Sequence, residues 1–240
     1  MIQIIPAILE PTFKGVAEKL EKIEGRVQTI QIDVCDGVFV PSVSWPYSMP
    51  VVTPESKYYD EFFKKLIAGN GEVDMPRWEH YNFELDLMIA NPKALLPDLL
   101  TIGPSSIVFH AESFSDLYSD MHDITKTIPP IVEVGVSIDI HTNPEVVFKL
   151  IDEKIIQFVQ CMGIAKDGFQ GQPLDEGVYK NLKILREKYP DLILSVDGSV
   201  NLEDAKKLVQ AGATQLVIGS AIFSEKNVVG RIEEFERVVQ

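Results

Sequence analysis

Three aspartates break into apolar, strand-like runs of this sequence: Asp33 in Val27-Gln-Thr-Ile-Gln-Ile-Asp-Val34, Asp86 in Phe83-Glu-Leu-Asp-Leu-Met-Ile89, and Asp197 in Leu194-Ser-Val-Asp197. An unpaired carboxylate is costly to bury, so each needs a partner, a metal ion or a chemical task. Two carboxylates facing each other across a pocket can take a proton from one face of a carbon and return it on the other, which is epimerisation. Gln31 precedes Asp33 by two residues and shares its strand face. For Asp86 and Asp197 the competing reading is a salt bridge to a lysine or arginine at the rim of a sheet. Asp36, beside the turn former Gly37, reads equally well as a solvent-facing or turn-capping group. His110 and His141 read as satisfied structural donors.

A second constellation is glycine. Gly168-Phe-Gln-Gly171, Gly198-Ser199 and Gly219-Ser220 each follow a strand pattern in successive units. Glycines there let backbone N–H groups approach a phosphate. Turn chemistry explains each pair alone but not their placement together.

The elements that must position these groups alternate regularly. Residues 2–9 read as a first buried strand. Thr12 then caps a helix that turns Val16, Leu20 and Ile23 inward and closes at Gly25. The second strand carries Asp33. Residues 42–82 hold six Pro or Gly breakers and both tryptophans, with one helix expected at about 55–68. Beyond them, strands at Leu85–Ile89, Ile107–His110, Ile131–Ile138, Ile155–Met162, Leu192–Asp197 and Gln215–Gly219 alternate with helices. Those helices are expected at Asn91–Leu100, 115–127, Pro144–Asp152, Gly177–Lys188, Leu202–Ala211 and 227–239. Eight strand–helix units in 240 residues predict a single α/β domain, a (β/α)8 barrel over 1–240 with a long insertion at about 42–82. In such a barrel catalytic groups gather at the C-terminal strand ends, which places Asp33 and Asp197 on opposite sides of one mouth. No unit opens with a dinucleotide or nucleoside-triphosphate fingerprint, so no nucleotide cofactor is expected.

Composition narrows the partners. The net charge of −14 opposes nucleic-acid binding. A small anion held by backbone N–H groups remains compatible with it. The two cysteines, Cys35 and Cys161, sit in apolar strands without metal spacing, as reduced thiols of a cytoplasmic protein do. The start shows no basic n-region, and no apolar run is long enough to span a membrane.

The chain resembles the ribulose-phosphate 3-epimerase family over nearly its whole length. The resemblance is carried by Ile5-Pro-Ala-Ile-Leu9, Ile32-Asp-Val-Cys-Asp-Gly-Val-Phe-Val-Pro41, Leu87-Met-Ile-Ala-Asn-Pro92, Phe109-His-Ala-Glu112, Gly168-Phe-Gln-Gly-Gln172, Val196-Asp-Gly-Ser199 and Gly219-Ser-Ala-Ile-Phe223. It implies a TIM barrel of the ribulose-phosphate-binding type and interconversion of ribulose 5-phosphate and xylulose 5-phosphate. It also implies catalytic aspartates at Asp33 and Asp197, methionines over the site at Met88 and Met162, and a divalent metal that stabilises an enediolate. The departures fall in the site. Gln31 and Asp86 stand where the family has two histidine ligands, Ala7 replaces a serine, Gln170 replaces a glycine, and Asp139-Ile140 replaces Asn-Pro.

Asp33, Asp86, Asp197 and Gln31 together would form an all-oxygen ligand set. Such a set suits Mg²⁺, Mn²⁺ or Ca²⁺ rather than zinc. The expectation is therefore a ketose-phosphate epimerase, with phosphate held by Gly168, Gly171, Gly198, Ser199, Gly219 and Ser220. Two other readings stay open: a Mg²⁺-dependent sugar-phosphate decarboxylase or aldolase, and a sugar-phosphate-binding homologue without catalysis. The first relatives carry Asp-x-Lys-x-x-Asp, and Asp33-Val-Cys-Asp36 lacks the lysine. The 42–82 segment is expected over the mouth, bringing Trp45, Tyr47, Trp78 and His80 to the substrate, or else as a contact between copies in a homo-oligomer.

Overall fold

The computed structural model describes residues 2–23, 25–51, 53, 57–69, 73–165 and 172–240. Eight parallel strands close into a barrel in chain order. They are β1 (Gln3–Ile8), β2 (Thr29–Cys35), β3 (Asn82–Met88), β4 (Ser106–His110), β5 (Glu133–Ile138), β6 (Phe158–Met162), β7 (Ile193–Asp197) and β8 (Gln215–Ile218). The ring shuts where Gln3 pairs with Gln215 and Pro6 with Ile218. Helices α1 (Phe13–Ile23), α2 (Glu61–Ile67), α3 (Pro92–Leu99), α4 (Leu117–Thr125), α5 (Phe148–Asp152), α6 (Gly177–Lys188), α7 (Leu202–Gln210), α8 (Ser220–Phe223) and α9 (Val228–Val238) alternate with them. No helix among the described residues is long and apolar enough to cross a membrane.

Short polar residues start the helices. Asp60, Asn91 and Asn201 accept backbone N–H bonds from the first turns of α2, α3 and α7. Thr12 does the same for α1 through Gly15. One face of each longer helix is apolar and buried on the barrel, as Val16, Leu20 and Ile23 are in α1. Two expected helices differ. The one at about 55–68 is confined to α2, with 54–56 outside the described residues. Pro144–Asp152 divides into a 3₁₀ turn and the short α5, because Pro144 and the β-branched pair Val146-Val147 favour a tight first turn.

The barrel interior is unusually polar. Gln31, Glu84, Asp86, Ser106, His110, Ser137, Gln160 and Ser195 are all buried. Bonds between strands that are not neighbours, from Gln31 on β2 to Asp197 on β7 and from Gln160 on β6 to Asp86 on β3, show that these side chains point inward. Lower down, Phe158 fills the space that Gly135 leaves: a Cβ at Gly135 would stand 2.3 Å from its ring. Gly135→Ala is therefore expected to cost about 1–3 kcal/mol by overpacking. Denaturant unfolding reads this, with Phe158→Leu in the same chain recovering part of the loss. An unchanged midpoint would show that the ring moves aside freely.

The 42–82 segment does not cover the mouth with its aromatic residues. Trp45 and Tyr47 are fully buried on the outside of the barrel. Trp45 packs against Phe13 and Phe63, and Tyr47 against Tyr59. The segment is tied there by Trp45 N–H donating to the Glu10 carbonyl and by Tyr59 O–H and Lys57 meeting Asp98. Its far end runs to the opposite face of the barrel. Tyr81 O–H reaches the Leu20 carbonyl at the end of α1, and Asn82 N–H reaches Gln28, before β2 begins. Trp78 and His80 lie in this run, so all four expected substrate contacts are corrected. For Trp45 and Tyr47, burial in the aromatic cluster with Phe13, Tyr59 and Phe63 outweighs a place over an open mouth, while Trp78 stays exposed at the far end.

Candidate active site

The chain order of the strands brings the three aspartates to one end of the barrel. Oxygens of Asp33, Asp86 and Asp197 lie within 4.8 Å of one another. Asp33 and Asp86 are register partners on adjacent strands. Asp197 reaches them across the interior from the last residue of β7. Gln31 joins the set from below. Its Nε2 donates to Asp33 Oδ1 at 2.8 Å and to Asp197 Oδ2 at 2.8 Å. The nitrogen, not the expected oxygen ligand, thus faces the carboxylates, while Gln31 Oε1 is buried without a partner among the described residues.

Asp86 has a different partner from the rim cation that its strand position left open. His110 Nε2 lies 3.0 Å from Asp86 Oδ1, with both side chains fully buried. The Phe39 ring meets His110 edge-on, and Gln160 Nε2 approaches the other Asp86 oxygen at 3.5 Å. Asp36 is a turn cap and a tie. One oxygen accepts from the N–H groups of Val38 and Phe39, and the other from Ala90 after β3.

The electrostatics follow from crowding acids in a dry place. Burial, then the Asp86 carboxylate, raises the pKa of Asp33; the Gln31 hydrogen bond opposes this. Burial, then Asp33 and Asp86, likewise raises Asp197. One step deeper, burial pushes Glu84 up to about 7, against the hydrogen bond it accepts from Ser106. Strand parity signalled Glu84, Gln160 and Ser195 as inward-facing; the sequence reading passed over them because they sit below the strand ends.

Above the carboxylates a cavity of about 240 Å³ opens. Ala7, Asp33, Met88, Met162 and Asp197 line it together with Gly198, Ser199, Gly219 and Ser220. Gly198 takes φ +99° and Ser199 φ +56°, which turns the chain sharply after β7. A Cβ on Gly198 would stand 2.9 Å from Ile164. Ser199 Oγ donates to the Gln172 carbonyl, fixing this turn against the loop after β6. Gly168 and Gly171 lie outside the described residues. Asn201, which the sequence reading missed, also lines the cavity while capping α7.

Three carboxylate oxygens this close make a hard donor set that could hold a metal ion. Burial first, and after it repulsion among the aspartates, raises Asp33 and Asp197, and a cation would relieve the repulsion.

The model of the ribulose-phosphate 3 epimerase family matches residues 59–223. The chain belongs to the ribulose-phosphate 3-epimerase family. Ribulose-phosphate 3-epimerase of Bacillus subtilis is 28% identical over 243 residues, covering 98% of this chain and 98% of its own. The chloroplastic ribulose-5-phosphate-3-epimerase of Arabidopsis thaliana is 27% identical over 97% of this chain and 75% of its own. Solved structures share the fold: 3-hexulose-6-phosphate synthase from Salmonella typhimurium has a TM-score of 0.64 at 14% identity, covering 99% and 98% of the two chains. KGPDC from Streptococcus mutans has a TM-score of 0.65 at 14% identity, covering 100% and 98%. The chain is thus an isomerase of the epimerase class. Asp86, Asp197 and the Gly198 and Gly219 turns of this epimerase lie within the stretch the family match spans.

Proposed function

We propose that this epimerase interconverts ribulose 5-phosphate and xylulose 5-phosphate, or a close ketose-phosphate pair, with Asp33 and Asp197 as its acid–base pair. The observation that carries the reading is one cavity lined both by these two carboxylates and by the Gly198-Ser199 and Gly219-Ser220 turns. Backbone N–H groups of those turns hold the phosphate, which sets the ketose across the carboxylates.

The chemistry follows from the proton count. Burial and mutual repulsion make two ionised carboxylates unfavourable, so the pair shares one proton. The ionised member removes the proton on the carbon next to the carbonyl, giving an enediolate. The protonated member delivers its proton to the opposite face of the same carbon, which inverts it. The product leaves with the proton on the other aspartate, so each serves as acid in one direction and base in the other. Met88 and Met162 wall the cavity and keep water from the anion. A hard divalent ion such as Mg²⁺ or Mn²⁺, held by Asp33, Asp86 and Asp197, would supply charge stabilisation to the enediolate oxygens. The free, buried Cys35 and Cys161 fit work in a reducing cytoplasm.

Incubation with ribulose 5-phosphate in heavy water tests this. One solvent deuterium is expected at carbon 3 of the xylulose 5-phosphate formed. Inversion without exchange would remove the proton-transfer mechanism, and absence of xylulose 5-phosphate would remove the substrate assignment. Gly198→Ala is expected to raise KM about 10-fold or more by pushing the turn off the phosphate, with kcat changed far less. Steady-state kinetics checks it. A fall in kcat at constant KM would move the phosphate elsewhere.

A further inference from the structure

Asp86 is the one member of the triad that does not line the cavity, and its side chain is fully buried. What it presents to Asp33 and Asp197 is therefore set by the groups packed around it. His110 Nε2 lies 3.0 Å from Asp86 Oδ1, and the imidazole is itself shut away from solvent. An ionised carboxylate only accepts, so the hydrogen between them belongs to Nε2. The Phe39 ring stands edge-on to the imidazole, 5.4 Å between centroids, and restricts its turning. His110 also ends β4, where pairing with Ser137 of β5 holds its backbone.

This bond decides how Asp86 can meet a cation. Oδ1 is committed to the imidazole, whereas Oδ2 has the weaker contact, Gln160 Nε2 at 3.5 Å. A carboxylate tied in this way gives an ion one oxygen. Turning both oxygens to the ion would break the histidine bond inside a dry core. Mg²⁺ demands short distances and octahedral geometry, which single carboxylate oxygens satisfy, and Mn²⁺ shares the octahedral preference. Ca²⁺ takes more oxygens at longer distances, often both from one carboxylate.

We propose that His110 is a positioning residue that keeps Asp86 a one-oxygen ligand and so selects Mg²⁺ or Mn²⁺ over Ca²⁺. This rests on the reading of Asp33, Asp86 and Asp197 as the metal-holding set. His110 does not line the cavity, so it acts on the reaction only through Asp86.

The test is calorimetric titration of wild type, His110→Gln and His110→Leu with Mn²⁺ and, separately, Ca²⁺, after resident metal has been stripped. A glutamine amide can place an N–H close to where Nε2 stands; leucine fills the space and offers no donor. Wild type is expected to bind Mn²⁺ about 10-fold or more tighter than Ca²⁺. His110→Leu should lose about 10- to 100-fold in Mn²⁺ affinity, the scale of a lost outer partner, while Ca²⁺ affinity moves about 3-fold or less. His110→Gln should recover most of the Mn²⁺ affinity. The paramagnetic resonance spectrum of bound Mn²⁺ should change in His110→Leu and return in His110→Gln. With Mn²⁺ saturating, KM for ribulose 5-phosphate should stay within about 2-fold in both variants, because neither change reaches the cavity.

His110→Leu with the Mn²⁺ affinity and spectrum of wild type would overturn the proposal. So would equal loss of both ions in His110→Leu and His110→Gln, which would make the imidazole a packing group, or a wild type that prefers Ca²⁺. A wild type that binds neither ion would overturn the metal-holding reading itself, an outcome distinct from the other three. If His110→Leu fails to fold, His110→Asn, whose shorter amide stops short of Asp86, carries the same comparisons.

Discussion

Asp33→Asn is expected to lower kcat about 10³-fold, the scale of a lost general base, with KM changed only a few-fold. The amide keeps the size of the side chain and cannot accept the proton on carbon. Stability should hold or rise, because the change removes one of three carboxylates crowded within 4.8 Å. Asp197→Asn should behave alike, since the same cavity and the same Gln31 nitrogen join the two. Steady-state kinetics with a melting curve on each variant makes the check. An Asp33→Asn enzyme with full activity and a normal melt would show that Asp33 is not the base.

The second large effect concerns Asp36, which shares the motif but not the chemistry. Its carboxylate accepts from three backbone N–H groups and is 2% exposed. Asp36→Ala leaves those donors unpaired and is expected to cost about 3–5 kcal/mol, the range for breaking a buried, hydrogen-bonded charge. Asp36→Asn should cost less, because one oxygen can still serve Val38 and Phe39 while the amide nitrogen faces Ala90. Chemical denaturation measures both. Protein that remains folded should turn over at a rate close to wild type, as Asp36 does not line the cavity. Lost turnover at unchanged stability would instead make Asp36 part of the catalytic machinery.

Side-chain direction was legible where strand parity alone decides it. Gln31 and Asp33 had to share a face, and the glycines after β7 and β8 had to stand at one end of the barrel. What parity does not carry is register between strands. Asp86 pairs in register with Val108, and His110 reaches it only because it lies two residues further along the same inward face of β4. Nothing in the local sequence ties those two residues. Amide orientation was equally hidden. An oxygen ligand and a nitrogen donor are the same residue type, and only the two acids around Gln31 choose between them. For the 42–82 segment, Trp45 and Tyr47 signalled burial without saying against which surface, so the aromatic cluster on α1 and α2 read as a lid or a contact between copies. One-turn helices such as α8 give too short a pattern to detect.

The bond from Gln31 to Asp197 spans 166 residues of chain. It exists only once β7 has joined the sheet, and β8 must still close the ring against β1. A growing chain therefore has no working site until nearly all of it has been made, and a fragment ending before β7 has one aspartate of the pair. The same dependence makes any ligand that bridges the pair a clamp on the entire ring rather than on one loop. At a hundred times its dissociation constant such a ligand adds about 2.7 kcal/mol to unfolding. Hydrogen exchange should then slow in β1 and β8 as well as in β2 and β7.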